Sequence, residues 1–550
     1  MSTSTIGPRP PLSRFIAPLL CAGLILPIAF SPGFREADEI NHFLIARESL
    51  YDWVARVDIW GRPGCSLLYA PVTPFGLLGA RLLAAVVTLL VCWGTMRLAR
   101  LVLPAPEKPT FFDRHRDFFV CLLLLVQPCF LIFSAAVMTE MLLALAWVWA
   151  AVCVARQRVL LSSLLIGLGG LARPEGLLAI AAWPVFLVLW QWLVKPEEGG
   201  GQRRSVGRLA MATIISVVPI VLWYVAGAWS RNDLHWVAAN WPYAVKSLYN
   251  TNARMFWTAL GAAGSWLWLP AAVAAVCCVA KRDKRAGLLL VLPALCFIAL
   301  HGVLGSFSLF ASAAYARYFI CIAPLIAILA VWGCSLAANH RAATLPVVAA
   351  LGVAMIVMTV AQPWFFRVPA FYIWLAVPVY VGAVLVLRGQ WSQLFSLGLL
   401  AAIALSIYQP FQSGELPVPM PLDGQFIDVA VDALPRILPP DLWETHVVAF
   451  HPYARYRLNI RIQGDTYNRC NDRVFLANAP PSTVVISDDR LCRDEKQPQE
   501  ADFRSWGYVL DDELQAKMEA IRPPNLNDYD AKLHVLVWIK RPAPSNPATY

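Results

Sequence analysis

One charged loop and the apolar sequence on either side of it decide the fold of this chain. The loop spans residues 31–71, and its centre reads Phe34-Arg35-Glu36-Ala37-Asp38-Glu39-Ile40-Asn41-His42. An apolar run precedes the loop, and further apolar runs follow it as far as Tyr408. Ionised side chains are costly to bury in such surroundings unless they are paired or bind something. A loop this charged is therefore the first place to look for chemistry.

The composition indicates a membrane protein. Of the 550 residues, 58% are hydrophobic and 15% are charged, whereas soluble domains average about 45–50% and about 25%. Many runs reach the roughly 20 residues that a helix needs to cross a bilayer, and lipid leaves no water for unpaired backbone groups. We therefore predict a mainly α fold, a polytopic transmembrane helical bundle of about thirteen spans. The formal net charge of +10 is explained by basic cytoplasmic loops rather than by nucleic-acid binding.

Charge also predicts the orientation of the chain. Residues 1–14 are basic, which places the N-terminus in the cytoplasm. The first apolar run, 15–30, lacks a small-residue cleavage signature and is expected to be a retained span. The strongest cytoplasmic marker is Lys281-Arg282-Asp283-Lys284-Arg285. The alternation of basic loops places the first loop outside, and the expected location is the plasma or inner membrane.

A second domain is predicted after Tyr408, where the composition becomes mixed. We expect residues 1–410 to form the transmembrane domain and residues 411–550 a small extracytoplasmic α/β domain. β-Branched runs bounded by turn residues predict strands, and one stretch has helical spacing. The predicted strands are 446–450, 483–487 and 533–539, and the predicted helix is 511–521. Cys470 and Cys492 are candidates for a disulfide if the domain faces an oxidising compartment.

The first candidate site residues are Asp38 and Glu39. A carboxylate here can take a proton from a hydroxyl or amine, or hold a divalent cation. The alternative is an ordinary solvated acidic loop, which two neighbouring carboxylates alone would favour. His42 can assist Asp38, although a single histidine is more often structural.

Further charges lie where later apolar runs turn at the outer side. Glu140 follows the third run, and Arg173-Pro174-Glu175 separates two apolar runs by only a few residues. Charges held so close to lipid are expected to be paired or to bind something. The alternatives are a turn residue that ends a helix at Glu140 and a local ion pair that caps the hairpin at Arg173.

Arginines at the membrane face suit the phosphate of an anionic lipid. Arg317 and Tyr318 open the tenth span, and Arg62 lies in the aromatic segment Trp60-Gly61-Arg62-Pro63-Gly64. Interfacial anchoring explains such residues nearly as well, since Trp and Tyr are enriched at both membrane surfaces. Arg81 lies inside the second span, where it can snorkel or pair with a carboxylate. Signatures of several soluble enzymes are missing from the sequence: the P-loop, the Rossmann glycines, HExxH and cysteine-based zinc spacing.

Together these positions resemble the GT-C superfamily, the integral-membrane glycosyltransferases that use polyprenyl-phosphate-linked sugars. The mannosyltransferase and aminoarabinose-transferase type is the most similar, and the resemblance covers residues 15–340. It rests on Asp38-Glu39, Val137-Met138-Thr139-Glu140, Leu171-Ala172-Arg173-Pro174-Glu175-Gly176 and Tyr315-Ala316-Arg317-Tyr318.

The resemblance implies a role for each matching residue. Asp38 is expected to be the catalytic base or a metal ligand, with Glu39 as its partner. Arg317 is expected to bind the lipid phosphate, with Arg173 and Arg62 as further candidates. The residues expected to bind substrate are His42, Arg62, Glu140, Arg173, Glu175, Arg317 and Tyr318. The second outer loop has only Glu140 where the family pattern has Asp-x-Asp, so the involvement of a divalent cation is left open.

The predicted activity is transfer of a sugar from a polyprenyl phosphate to a glycan, lipid or protein acceptor at the extracytoplasmic face. The alternative is a membrane transporter or lipid flippase, which predicts charges near the bilayer midplane and repeat symmetry. Arg81 favours that alternative, but we find no internal repeat. A non-catalytic scaffold that presents the C-terminal domain is a third possibility, and it leaves the outer carboxylates and arginines unexplained.

Overall fold

The structure is a computed structural model. It describes residues 13–104, 111–194, 206–239, 251–264, 267–310, 315–339, 403–404, 407–408, 410–411, 414–460, 472–488, 498–523 and 534–542. The last three of the thirteen predicted spans, expected between residues 341 and 408, lie almost entirely outside the described residues. Cys470 and Cys492 also lie outside them. The chain divides into two compact units.

The first unit comprises Met1–Phe30, Arg62–Cys65 and Arg81–Pro417. Its described residues are mainly helical, as expected for a chain whose backbone groups must be paired internally in lipid. The helices along the chain up to residue 339 are α1 Ser13–Ala29, α2 Ala37–Glu48, α3 Trp53–Arg56, α4 Pro63–Tyr69, α5 Gly76–Val102, α6 Phe111–Arg114, α7 Arg116–Leu125, α8 Pro128–Ile132, α9 Thr139–Ala155, α10 Val159–Ala172, α11 Pro174–Leu193, α12 Val206–Arg231, α13 Trp236–Ala239, α14 Ala253–Gly264, α15 Trp268–Ala280, α16 Lys284–Ala286, α17 Leu292–Ser306 and α18 Ala323–Asn339. Short 3₁₀ or π segments join some of them, at Ala70–Phe75, Gly287–Val291 and Ala316–Ile322.

Several of these helices are suited to a membrane. Within the described residues, five helical segments are long and apolar enough to cross a bilayer, and a bent pair, α14 with α15, would make six. Three shorter apolar helices lie at Ile16–Ala29, Thr139–Ala155 and Val159–Ala172. The expectation of a mainly helical chain is confirmed, whereas the number of thirteen spans stays a prediction.

The third predicted span is not one helix. The apolar run at 118–137 folds as α7 and α8, with Gln127 in an extended conformation between them (φ −71°, ψ 116°). Pro128 causes the break, because proline lacks an N–H group and disfavours the helical conformation of the residue before it. The buried Gln127 side chain donates to the carbonyl oxygens of Ala323 (2.9 Å) and Leu123 (3.3 Å). The amide therefore pairs backbone oxygens near the interruption.

Two glycines allow close helix packing beside the Arg173 turn. A Cβ atom on Gly167 of α10 would lie 2.5 Å from the carbonyl oxygen of Ser216 in α12. A Cβ atom on Gly176 of α11 would lie 2.3 Å from the carbonyl oxygen of Gly169 in α10. Small residues let helix backbones approach in this way, which is common in membrane bundles. The packing fixes the positions of the helix ends on either side of Arg173.

The second unit comprises Ser31–Gly61, Ser66–Ala80 and Val418–Tyr550. Its C-terminal helices are α19 Leu422–Ile437, α20 Trp443–His446, α21 Pro452–Arg457, α22 Arg473–Ala477, α23 Glu500–Ser505 and α24 Asp512–Ala520, with a 3₁₀ turn at Pro440–Leu442. Its strands are β1 Val447–Ala449, β2 Val484–Asp488, β3 Tyr508–Leu510 and β4 Val535–Lys540. The unit thus contains both the first-loop helix α2 and the C-terminal sheet.

The sheet has the order β1-β2-β4-β3. β1 is parallel to β2, and β4 is antiparallel to both β2 and β3. The three predicted strands and the predicted helix are confirmed, and β3 is an additional strand. The core includes Trp538, fully buried and stacked on Phe503 with 5.4 Å between ring centroids. Burying an aromatic side chain of this kind contributes roughly 1.5–3 kcal/mol.

Candidate functional site

The turn between α10 and α11 holds the central side chain of a buried ionic cluster. α10 ends at Ala172 and α11 begins at Pro174, with Arg173 extended between them (φ −152°, ψ 155°). Proline suits the first position of a helix because the missing N–H would be unpaired there anyway. The Arg173 guanidinium donates twice to Glu175, from Nη2 to Oε1 (2.9 Å) and from Nε to Oε2 (3.0 Å). This fork geometry is among the stronger charged contacts in proteins.

Glu140 joins the cluster from a different helix. It lies in the first turn of α9, and only 1% of the residue is exposed. Arg173 Nη1 lies 2.6 Å from Glu140 Oε1 and also donates to Thr139 Oγ1 (3.2 Å). Arg317 Nε lies 3.6 Å from the same Glu140 oxygen. One buried carboxylate oxygen is therefore shared by two guanidinium groups.

Tyrosine rings frame the two arginines. Arg317 and Tyr318 lie in the 3₁₀ segment before α18, and Arg317 is buried. The Tyr318 ring centroid lies 5.1 Å from the Arg173 guanidinium carbon and 5.8 Å from that of Arg317. The Tyr315 centroid lies 5.2 Å from the Arg317 guanidinium carbon. A cation over an aromatic face gains about 0.5–2 kcal/mol, so the rings help to hold both guanidinium groups.

His301 completes the cluster, and the sequence patterns did not single it out. It lies in α17, and its Nε2 is 3.3 Å from Glu175 Oε1. Its ring packs against Phe297 (4.5 Å between centroids) and Tyr318 (5.5 Å). The available signal was an ionisable residue inside an apolar run, which is a functional-site hypothesis by default in a membrane span.

The electrostatics of this buried cluster are balanced. The two arginines Arg173 and Arg317 face the two carboxylates Glu140 and Glu175, so their formal charges sum to zero. Buried charges persist when they are paired and hydrogen-bonded in good geometry. Guanidinium groups fixed in advance can stabilise a developing negative charge without reorganising at the moment of reaction. The cluster therefore contains two guanidinium groups whose positions are fixed by carboxylates before any ligand binds.

Two further predicted arginines are buried, Arg62 within the first loop and Arg81 in the helix that follows it. Arg62 is 6% exposed, has a positive φ of 58° and directly precedes α4. A positive φ is uncommon for a residue with a side chain, so this turn is conformationally costly. Arg81 is also 6% exposed and lies in α5.

Asp38 and Glu39 lie in the second unit, in the first turn of α2. Glu39 is 2% exposed, and its Oε2 accepts a hydrogen bond from the Arg35 backbone N–H (3.2 Å). Asp38 is half-buried. Successive residues of an α-helix are turned by about 100° from each other, because a turn takes 3.6 residues, so the two carboxylates point in different directions. Both lie at the N-terminal end of the helix, where the helix dipole carries a partial positive charge.

His42 stacks on Trp60. The two ring centroids are 4.6 Å apart, the planes are inclined by 20°, and His42 is 6% exposed. His42 lies one helical turn after Asp38, on the same face of α2, because residues four apart are neighbours on a helix surface. The stacking fixes the position of the imidazole ring.

The predicted site residues belong to both units, with Arg62 in the first. Glu140, Arg173, Glu175, Arg317 and Tyr318 contact one another in the first unit. Asp38, Glu39 and His42 belong to the second unit. In the part of the chain that the structure describes, no group of three or more His, Cys, Asp or Glu side chains is placed to hold a metal ion.

Solved structures with a similar fold exist. The chain resembles ArnT from Cupriavidus metallidurans in the apo state, with a TM-score of 0.54 and 15% identity over 86% of this chain and 92% of that one. It also resembles ArnT from Cupriavidus metallidurans bound to undecaprenyl phosphate, with a TM-score of 0.54 and 14% identity over 96% of this chain and 98% of that one. No family model and no curated protein sequence matches the chain. The chain therefore has the fold of ArnT, and the resemblance inferred from its sequence is confirmed at the level of the fold.

Proposed function

We propose that this protein is an integral-membrane glycosyltransferase. It moves a sugar from a polyprenyl-phosphate donor to an acceptor at the extracytoplasmic face of the plasma or inner membrane. The observation that carries the proposal is the buried cluster around Arg173 and Arg317, formed at the ends of apolar helices in a chain with the ArnT fold. The ArnT structure with undecaprenyl phosphate supports the choice of a polyprenyl phosphate as the lipid partner.

The arginines of the cluster bind the donor phosphate. Arg317 is the first candidate, because it is buried directly before the apolar helix α18 and its Nε lies 3.6 Å from Glu140. Guanidinium groups present a rigid fork of donors that matches phosphate oxygens. Glu140 and Glu175 hold the forks in place, and Tyr318 lies against both. Arg62 is a further phosphate ligand in this proposal.

The reaction is a displacement at the anomeric carbon of the sugar. An acceptor hydroxyl or amine attacks that carbon, and the bond between the carbon and the phosphate oxygen breaks. Asp38 takes the proton of the acceptor as general base, with Glu39 as its partner, and Arg317 and Arg173 stabilise the negative charge of the departing polyprenyl phosphate. A single displacement inverts the configuration at the anomeric carbon.

The proposed orientation follows from the charge of the loops. The N-terminus lies in the cytoplasm, and the first loop and the C-terminal domain lie on the extracytoplasmic side. The donor keeps its polyprenyl tail in lipid while its phosphate and sugar reach the membrane surface. A cluster of arginines at helix ends suits this geometry, because the phosphate is the part of the donor that lies at the interface.

The experiment that tests this function separates transfer from transport. The purified protein is reconstituted in liposomes with undecaprenyl phosphate that carries a radiolabelled mannose, glucose or aminoarabinose, together with an envelope lipid extract as acceptor. A transferase releases undecaprenyl phosphate and forms a labelled covalent product. A flippase moves the intact donor across the bilayer and cleaves nothing, so translocation without any product would contradict the proposal.

A further inference from the structure

The C-terminal domain contacts the first-loop helix on both sides of Asp38. We propose that this domain positions α2 for catalysis, with Arg47, Tyr453 and Tyr456 as positioning residues. The inference rests on the proposed function, since it gives the base of that reaction its fixed place. It also gives a role to a domain whose sequence carries no catalytic motif.

The first contact lies at the end of α2. Arg47 Nη1 donates to the side-chain oxygen of Asn459 (2.8 Å), and Arg47 Nη2 donates to the backbone oxygen of Ile460 (3.0 Å). Both acceptors lie directly after α21 of the C-terminal domain. Hydrogen bonds from a charged group are stronger than neutral ones. The two bonds join the C-terminal turn of α2 to the segment that follows α21.

The second contact is aromatic. Phe34, which is 2% exposed and precedes α2, packs on Tyr453 with 4.9 Å between ring centroids and on His451 with 6.0 Å. Phe43, within α2 and 1% exposed, meets the edge of Tyr456 at 5.6 Å. Aromatic pairs at such distances contribute beyond the area that they bury. Phe34 and Phe43 lie on opposite sides of Asp38 in the sequence, so the helix is held before and after the carboxylate.

The third contact joins the segment before α2 to the segment before α19. The Gly33 N–H donates to the Val418 carbonyl oxygen (3.0 Å), and the Val418 N–H donates to the Ser31 hydroxyl oxygen (3.0 Å). A Cβ atom on Gly33 would lie 1.9 Å from the Pro419 carbonyl oxygen. Only glycine permits this approach. The entry to the first-loop helix is therefore tied to the entry of the C-terminal domain.

The surface that receives α2 is itself rigid. His451 caps α21, because its Nδ1 accepts from the Tyr453 N–H (3.1 Å), and its Nε2 lies 3.5 Å from Asp423. The Tyr453 hydroxyl donates to Asp428 (3.0 Å). Burial raises the pKa of Tyr453 to about 12, so this hydroxyl keeps its proton at neutral pH. α21 thus presents Tyr453 and Tyr456 in a fixed orientation.

Small displacements of Asp38 would lower the rate of the proposed reaction. A general base must lie within about 2.6–3.2 Å of the proton that it takes, and a misplacement of about 1 Å can cost roughly a hundredfold in rate. Arg47 lies nine positions after Asp38, about 13.5 Å along a helix that rises 1.5 Å per residue. When the Arg47 end is freed, α2 can pivot at Phe43, which lies between Arg47 and Asp38 and contacts Tyr456. A tilt of one end of the helix then displaces the other end, where Asp38 lies.

The test compares Arg47→Ala with Arg522→Ala in the full-length protein. Arg522 is a matched control because it pairs with Glu519 inside the C-terminal domain (2.7 and 2.8 Å). Hydrogen–deuterium exchange of the peptide 37–48 should become about tenfold faster in Arg47→Ala, as expected for the loss of hydrogen bonds from a charged group. The exchange of this peptide should stay unchanged in Arg522→Ala. Arg47→Lys can keep one of the two bonds and should restore part of the protection.

Sugar transfer gives the second measurement. Arg47→Ala should lower kcat by about ten- to a hundredfold with an unchanged KM for the donor, because it displaces the base and leaves the phosphate ligands in place. Unchanged exchange of 37–48, or a kcat equal to that of Arg522→Ala, would overturn the inference. Failure of the proposed function looks different, since the wild-type protein would then show no transfer while the exchange of 37–48 still responded to Arg47→Ala.

Discussion

Replacing Glu140 by glutamine tests whether the buried cluster is held by the shared carboxylate. Glu140 is 1% exposed and lies 2.6 Å from Arg173 and 3.6 Å from Arg317. Glutamine keeps the volume and removes the charge, so no cavity forms. Glu140→Gln leaves two buried guanidinium groups with Glu175 as the remaining carboxylate of the cluster. Removing one partner of a buried pair costs about 3–5 kcal/mol.

A second ion pair of the first unit provides the control. Arg100 pairs with Asp117 through side chains that are 27% and 13% exposed, more than those of the cluster. An ion pair that solvent partly reaches contributes less than a fully buried one, so Asp117→Asn should lower the free energy of unfolding by less than Glu140→Gln does. Both variants are unfolded in detergent micelles by titration with a denaturant, and their midpoints are compared with that of the wild-type protein.

A double variant measures the energetic coupling between Glu140 and Arg173. Glu140→Gln combined with Arg173→Met removes opposite charges together, so the loss should be smaller than the sum of the two single losses by about 0.5–3 kcal/mol. The reasoning fails if Glu140→Gln costs no more than Asp117→Asn, or if the two single losses add without coupling.

Two further outcomes follow from the described contacts. Arg317→Ala should raise the KM for the polyprenyl-phosphate donor by roughly ten- to a hundredfold, the range for hydrogen bonds to charged groups. The control Arg208→Ala removes a bond to the Gln157 carbonyl oxygen and should leave this KM unchanged. Both values are measured from initial rates over a range of donor concentrations. Burial raises the pKa of Tyr508 to about 12, above the value of about 10 for an exposed tyrosine. The protonated Tyr508 hydroxyl therefore contributes to the stability of the C-terminal domain below pH 10, and this contribution is lost as the pH rises through 12. Subtilisin cleavage within 472–542 should become faster between pH 9 and pH 11, and the increase should be smaller in Tyr508→Phe than in the wild-type protein.

The strands of the C-terminal domain show what local sequence can predict. β1, β2 and β4 were predictable because β-branched runs bounded by turn residues mark them. β3 has only three residues, Tyr508–Leu510, and follows Gly507 at a positive φ of 83°. A run this short carries too little alternation to be recognised, and the strand forms because it pairs with β4.

The buried cluster was predictable in part. Glu140, Arg173, Glu175 and Arg317 each stand where an apolar run begins or ends, so the alternation of spans places them on one face of the membrane. His301 could not be chosen in this way, because it lies within an apolar helix and its contact with Glu175 depends on tertiary packing. The sharing of one Glu140 oxygen by two arginines likewise depends on distances that no spacing reveals.

The surroundings of the first-loop carboxylates could not be predicted locally. Arg47 and Asn459, which hold the end of α2, are 412 residues apart in the chain. No short pattern reports a contact over such a separation. The sequence identified Asp38 and Glu39 as candidates, and the structure adds that they open a helix packed against the C-terminal domain.

The central claim is that Asp38 is the general base of sugar transfer from a polyprenyl phosphate. The most direct measurement is the release of undecaprenyl phosphate by Asp38→Asn and by Asp52→Asn in the liposome assay. Asp52 is the matched control, because it lies in the same loop and caps α3 by accepting from the Val54 N–H (2.9 Å), a role that asparagine also fills. We predict that Asp38→Asn loses at least about a hundredfold in kcat, the low end for a general base, while Asp52→Asn keeps wild-type turnover. Wild-type turnover by Asp38→Asn would contradict the claim.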